Sequence, residues 1–218
     1  MPLDSPTQVL AIRHGETDWN RDKRIQGHTD IPLSELGHAQ ARLLGQALGD
    51  RSLDALYTSD LLRAQQTAQA VAAAQGGPAK LPLRLDPLLR ERSFGCFEGL
   101  NREQIKARWP SQSEQWCRRD ADFGAEGGET LADFYQRSLA ALTRIASRHP
   151  GQTIAIVTHG GVLDCLYRAA TGLSLQAPRT WTLGNAAINR LLYTHSGFGV
   201  VGWHDASHLE SLLSGWKR

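Results

Sequence analysis

The chain alternates short, almost wholly apolar runs with longer stretches in which apolar residues recur every three or four positions. "QVLAIR", Gln8 to Arg13, is short, partly β-branched and bounded by Pro6 and Gly15, which suits a strand buried on both faces. "GHTDIPLSELG" then leads into a helix over about Ser34 to Leu48, with Leu36, Ala39, Leu43 and Ala47 on one stripe and Gly49 as the stop. "LDALYTS" is a second strand, and alanine-rich "DLLRAQQTAQAVAAAQGG" is a helix started by Asp60 and ended by Gly76-Gly77. "KLPLRL", Lys80 to Leu85, is a strand that Pro82 places at a sheet edge. An irregular region from Asp86 to Gly128 holds weakly helical "REQIKARW" and "SEQWCRR".

The next helix, "TLADFYQRSLAALTRIASRH", has apolar residues at Leu131, Phe134, Leu139, Leu142 and Ile145, and Pro150-Gly151 closes it. "QTIAIVTHGG" is the clearest buried strand and leads into a helix from Gly161 to about Thr171. Two last strands, "AAINRLLYTH" and "GVVGWH", are joined by a Ser196-Gly197 turn. This order predicts an α/β fold: a three-layer α/β/α sandwich with a mostly parallel central sheet, an antiparallel strand near the C-terminus and a small helical lid insertion. We expect a single domain over residues 1–218, with the lid at about 94–128.

Composition and charge narrow the function. Of 218 residues 41% are hydrophobic, enough for one substantial core, and 24 Lys+Arg against 22 Asp+Glu leave a formal net charge of +2. No basic run is dense enough to track a phosphate backbone, so no nucleic-acid partner is expected. No apolar stretch reaches the roughly 18 residues of a membrane span, and "MPLDSPTQ" does not read as a secretion signal. Cys96, Cys117 and Cys165 are odd in number and lack a Cys-x-x-Cys pair, which argues against disulfides and structural zinc and for a cytoplasmic address.

In open α/β sheets ligands sit outside the carboxyl ends of the strands. Two of the strands end alike, in Arg13-His14-Gly15 and in Thr158-His159-Gly160-Gly161. If these strands are neighbours, both imidazoles face one crevice, and Gly160-Gly161 at a helix start offers N–H groups to an anion. Arg13 shares that rim, and Arg63, in the first turn of the alanine-rich helix, joins it. Two guanidinium groups and two imidazoles form a donor-rich positive pocket whose natural guest is a phosphoryl group. Taken singly, each has a plainer reading: a strand-end His as a capping residue, Arg63 on a solvated helix face, Glu91 as partner of Arg90 or Arg92.

"LAIRHGETDWN", "QGHTDIPLSELGHAQA", "YTSDLLRAQQTA", "LLRERSFGCFEG", "AEGGET" and "IVTHGG" occur in the order found in the histidine phosphatase superfamily, which includes the cofactor-dependent phosphoglycerate mutases and related phosphatases. The resemblance spans roughly Val9 to Gly161. It implies that His14 is the nucleophile that becomes phosphohistidine, and that Arg13, Arg63 and His159 hold the phosphoryl oxygens. It further implies phosphate contacts at Asn20, Gln26, Gly27 and Gly160, and a proton-handling role for Glu91, which needs a proton near working pH and so a partly buried site beside the phosphate. Glu16 is expected to orient His14 or pair with Arg13. The resemblance implies no metal, the arginines supplying the charge.

Within the family, mutases continue after the acidic residue as Tyr-Gly-x-Leu-x-Gly-x-Asn-Lys and carry a longer insertion. Here Phe94 stands in the tyrosine's place, Asn101-Arg102 is followed by Glu103, and the insertion before Gly127-Gly128-Glu129-Thr130 is short. These departures favour a phosphomonoesterase acting on small phosphorylated metabolites. The alternative is a phosphoglycerate mutase, with 2,3-bisphosphoglycerate as primer; a noncatalytic phosphate-binding module and a metallohydrolase are remoter. Phe94, Phe97, Trp109, Trp116 and Phe123 are expected to pack the lid, and Arg118-Arg119 to form a solvated basic turn rather than reach a second anionic group. A homodimer is common among relatives. His28, His38, His195, His204 and His208 match no motif.

Overall fold

In the computed structural model, residues 5–76 and 81–215 are described. Thr7–Arg13 forms β1, in which every second side chain goes to one face: Val9 and Ala11 to one core, Leu10 and Ile12 to the other. The following loop carries one helical turn not anticipated from the sequence, α1 (Asp18–Arg21), closed by a reciprocal capping box between Thr17 and Asn20. Then come α2 (Glu35–Gly49), β2 (Ala55–Thr58), α3 (Leu62–Ala74) and β3 (Leu83–Leu85). Next are α4 (Arg102–Arg108), α5 (Pro110–Cys117), α6 (Leu131–Ala146), β4 (Thr153–Thr158) and α7 (Gly160–Thr171). The hairpin β5 (Ile188–Thr194) and β6 (Gly197–Asp205) follows, with Gly197 at φ +111° in its turn, and α8 (Glu210–Gly215) is a further unanticipated element.

The strand order is β3-β2-β4-β1-β5-β6, and β5 alone runs against the rest. One core layer packs α6 and α7 on the sheet; the other packs α2 and α3. The sequence-derived sandwich is therefore the observed one, with β3 at an edge as Pro82 implied. The chain leaves β1 toward the α2 face and leaves β4 toward the α7 face, so the crevice between these neighbouring strands is the switch point of the sheet.

Several local expectations need correction. The buried stripe of α2 is Gly37, Ala41, Leu44, Gly45 and Leu48, not Leu36, Ala39, Leu43 and Ala47. Close approach of backbones turns the helix this way: a Cβ on Gly45 would lie 2.5 Å from the Ala70 carbonyl oxygen of α3, and one on Gly37 2.0 Å from that of Glu16. Small residues thus set the contact, and apolar side chains beside them are left half-exposed. Asp60 does not cap α3, because Arg90 takes both its carboxylate oxygens at 2.7 and 2.6 Å; the Leu62 amide instead donates to Asp30, 2.7 Å away. Gly77 and Lys80 lie outside the described residues. α6 stops at Ala146, before Pro150, where the Thr7 hydroxyl satisfies the carbonyls of Ala146 and His149 at 2.9 and 2.8 Å. On its inner face Ser138 is buried and Leu139 only partly so.

The α2 correction has a measurable consequence. Truncating fully buried Leu44 to Ala should destabilise the protein by about 2–5 kcal/mol, and Leu43→Ala by less than half as much. Urea midpoints at constant slope measure both; equal losses would restore the stripe read from the sequence.

Candidate phosphate-transfer site

Parallel pairing aligns Arg13 with Thr158, so the residues after each strand leave the sheet side by side. The His14 amide donates to the Thr158 carbonyl at 2.9 Å, and the rings of His14 and His159 stand 5.2 Å apart between centroids, tilted by 58°. Nδ1–H of His14 donates to the Gly15 carbonyl at 2.7 Å, which fixes the tautomer and leaves Nε2 with its lone pair. Gly15 is held in turn by its amide donating to Thr67 Oγ1 at 3.0 Å. Asn185, just ahead of β5, donates to the His14 carbonyl at 3.0 Å and to Oδ1 of Asn20, which lines the cleft, at 3.3 Å.

Arg63 is 1% exposed, and its terminal nitrogens donate to Thr29 and Gly27 carbonyls at 3.0 and 2.8 Å. Its Nε, with Arg13 Nε, both ring nitrogens of His159 and Gln26 Oε1, is buried without a protein partner among the described residues. The Nε–H groups of Arg63 and Arg13 and the one N–H of a neutral His159 are unpaired donors that suit an anion at this strand-end crevice, whereas Gln26 Oε1 is an acceptor. Gly27 enters as backbone: at φ +54° its carbonyl takes Arg63, and a Cβ there would strike the Glu98 carboxylate at 2.0 Å. Glu98, which sequence reasoning missed, staples this loop by accepting from the amides of His28, Thr29 and Phe94 at 2.9–3.0 Å.

Glu91 reaches the same cleft from the segment after β3. Neither neighbouring arginine pairs with it: Arg90 holds Asp60, and Arg92 donates to the carbonyls of Phe123 and Glu129. Its carboxylate instead accepts from the amides of Arg92 at 2.8 Å and Gly161 at 2.9 Å. The first turn of α7 therefore carries Glu91 on its Gly161 amide rather than offering that amide to an incoming anion, while Gly160 lies against Arg13, 3.4 Å from Nε at its Cβ position. The Glu91 backbone is clamped as well: its carbonyl accepts from His28 Nε2 at 2.9 Å and from Arg137 at 3.2 Å. His28 and Arg137 were not read from the sequence, where a lone His and a mid-helix Arg carry no distinguishing signal.

Glu16 touches neither His14 nor Arg13; its carboxylate accepts from Ser34, the N-cap of α2, at 3.2 Å. Phe97 and Phe123 are buried in a small core of their own, with Phe94, Trp109 and Trp116 packed on it, as expected for the lid aromatics. Phe94 also lines the cleft, and Arg119 is not solvated but pairs with Asp164 of α7 at 2.6 Å. Arg118 is the exposed one of the two, 3.6 Å from Glu114.

The cleft holds about 600 Å³. Burial pushes the His14 pKa well below its ordinary 6.5, and the charges of Arg63 and Arg13 push the same way. His159 is depressed by burial, Arg63, His14 and Arg13. Burial also lowers Arg63, to about 10. Both imidazoles are therefore neutral at pH 7, as a nitrogen nucleophile requires. Among the described residues no group of three or more His, Cys, Asp or Glu side chains stands together to hold a metal, and no helix is long and apolar enough to cross a membrane.

The histidine phosphatase superfamily (branch 1) model matches residues 9–206, and the chain belongs to that family. Phosphoglycerate mutase-like protein 4 of Arabidopsis thaliana is 36% identical over 93% of this chain and 87% of its own length. Among solved structures, Bacillus stearothermophilus YhfR superposes with a TM-score of 0.84 at 33% identity, covering 93% of this chain and 99% of that one. A mycobacterial glucosyl-3-phosphoglycerate phosphatase gives 0.79 at 31% identity, over 91% and 99%.

Two outcomes follow from this geometry. A Cβ at Gly161 would lie 2.1 Å from Glu91 Oε1, so Gly161→Ala should displace that carboxylate and cut turnover at least tenfold while circular dichroism stays unchanged. For His14 and His159, folded pKa values below the unfolded one mean that the unfolded chain binds protons first as pH falls. Stability should therefore be flat above about pH 6.5 and decline below it, by up to about 1.4 kcal/mol per pH unit for each histidine. Urea midpoints for the wild type and the His14→Asn/His159→Asn double variant measure this; parallel pH profiles would refute it.

Proposed function

We propose that the protein is a metal-independent phosphomonoesterase that acts on small phosphorylated metabolites through a phosphohistidine at His14. The observation that carries this reading is the free Nε2 of a tautomer-locked, neutral imidazole beside the buried guanidinium of Arg63 and the half-buried one of Arg13. Arg13, Arg63, His159, Asn20 and Gln26 hold the phosphoryl oxygens and neutralise charge as it develops. Nε2 attacks phosphorus, a P–N bond forms and the P–O bond to the alcohol breaks, while Glu91 delivers a proton to the departing oxygen. In the second half-reaction Glu91 takes a proton from water, whose oxygen attacks phosphorus and expels Nε2, releasing inorganic phosphate. Gly160 and Gly27 contribute as backbone. Residues 94–128 act as the lid, and its shortness admits water.

A mutase reading is favoured by the name of the plant relative, phosphoglycerate mutase-like, whereas the mycobacterial structure is named for a phosphatase. The two differ in whether the phosphoryl group goes to water or back to the bound molecule. A panel of phosphorylated metabolites separates them, with free phosphate and interconversion of 3- and 2-phosphoglycerate measured together. We expect phosphate release, undiminished by chelator, abolished in His14→Ala and reduced at least a hundredfold in Glu91→Ala. Isomer interconversion without free phosphate would establish the mutase instead.

A further inference from the structure

The two arginines of the cleft are held in different ways. Two carbonyls of one loop, those of Gly27 and Thr29, take the terminal nitrogens of Arg63. The guanidinium of Arg13 has a single protein acceptor among the described residues, the Leu183 carbonyl, to which Nη1 donates. With Nη1 tied there, Nε is left buried and unpaired beside Gly160. The direction in which Arg13 offers its remaining donors therefore depends on where the Leu183 backbone stands, and Leu183 belongs to irregular chain between α7 and β5.

That stretch is fixed on either side of Leu183 by two consecutive residues of β6. Trp203 Nε1–H donates to the Thr182 carbonyl at 3.0 Å, and His204 Nδ1 accepts from the Gly184 amide at 3.3 Å. Successive side chains of a regular strand point to opposite faces, so neighbours would not ordinarily meet one short segment. A β-bulge makes it possible here: Ile188 pairs with Asp205 and Arg190 with Gly202, so Asn189 alone stands opposite both Trp203 and His204. His204 takes up the extra length at φ +58°, in the left-handed region that glycine enters freely and other residues at a cost. Asn189 holds the bulge, its Oδ1 accepting from the His204 amide and its Nδ2 donating to the Ala11 carbonyl of β1, both at 2.9 Å. The fit at Gly184 is close, since a Cβ there would lie 2.3 Å from His204 Cε1. A strained backbone that carries an imidazole where glycine would be easier points to a use for that ring.

Resting on the reading above, in which Arg13 grips the phosphoryl group, we propose that His204 is a positioning residue for that grip: with Trp203, it sets the place of the Leu183 carbonyl and so aims the Arg13 guanidinium at the phosphoryl oxygens. The β6 bulge is then part of the machinery although neither of its two residues lines the cleft. Removing the imidazole frees the Gly184 amide, lets Leu183 drift and turns Arg13 away, while His14, Arg63 and Glu91 keep their own supports. A guanidinium fixed before the anion arrives loses less freedom on binding than one that must be gathered in.

The test compares wild type, His204→Gly, His204→Asn, Arg13→Met and the His204→Gly/Arg13→Met double variant. Orthophosphate binding is measured by titration calorimetry, kcat and KM on p-nitrophenyl phosphate by phosphate release, and stability by urea midpoint. Glycine keeps the left-handed backbone and removes the ring, so His204→Gly should hold or raise the urea midpoint while weakening orthophosphate binding and lowering kcat/KM at least fivefold. Asparagine also enters the left-handed region, and its Oδ1 takes the place of Nδ1 as acceptor, so His204→Asn should stay within about twofold of wild type. In the Arg13→Met background His204→Gly should add nothing, as expected of two residues that act through one interaction. Trp203→Phe, which keeps a ring and removes the N–H donated to Thr182, should show the same dependence on Arg13. Undiminished orthophosphate binding in His204→Gly, losses that multiply in the double variant, or an asparagine variant as poor as the glycine one would overturn the proposal. Phosphate release persisting in His14→Ala would instead overturn the phosphatase reading, and orthophosphate binding would still report the aim of Arg13.

Discussion

The parallel ladder between β1 and β4 is the constraint on which the rest of the site depends. Hydrogen bonding in register from Gln8 with Thr153 to Arg13 with Thr158 leaves no freedom in where His14 and His159 emerge. A slip of one residue would move every β1 side chain to the other face and invert the two cores, each of which claims alternate residues of both strands. The hydrophobic cost of that inversion is what holds two imidazoles 5.2 Å apart and two cations nearby. Burying unpaired donors is unfavourable on its own account, so the sandwich sustains at its crevice an arrangement that the folded chain would otherwise avoid.

The carboxyl proposed to handle the proton is placed differently. Glu91 lies on irregular backbone after β3, and its position comes from contacts gathered from three other parts of the chain and from its own neighbour. His28 and Arg137 hold its carbonyl, and Gly161 of α7 and the adjacent Arg92 hold its carboxylate. The proposed nucleophile therefore rests on the sheet, and the proposed acid rests on loops pinned to helices. Such a division lets substrate specificity vary with the lid and loops without disturbing the strand ends.

Most of the architecture was legible because buried parallel strands are short apolar runs and the helices between them are periodic. Where the reading failed, packing of backbone against backbone decided the outcome. The inner face of α2 is set by Gly37 and Gly45, residues a hydrophobicity pattern ignores. The cap of α3 comes from Asp30, 32 residues from its target, because Arg90 occupies Asp60. At the site, Arg13, His14, Arg63, Glu91 and His159 were identified by a resemblance that motif order carries; spacing alone left each with a plainer reading. The structure brings Arg13, His14, Arg63 and Glu91 to the wall of one cleft with the buried His159 ring beside His14, but assigns Glu16 to the α2 cap and the Gly161 amide to Glu91. Asn185, His28, Glu98 and Arg137 act through backbone carbonyls and amides, and such contacts leave no imprint on residue type or spacing.

The central claim is that Nε2 of His14 bonds covalently to phosphorus. Rapid quenching of the protein with a turnover substrate, followed by peptide mapping and phosphorus NMR of the trapped species, tests it directly. An acid-labile, alkali-stable phosphoryl group on the Nε2 position of the His14 peptide is the expected result. A phosphoryl group on His159, or on Nδ1 of His14, or sustained turnover in which no phosphorylated protein can be trapped, would contradict it.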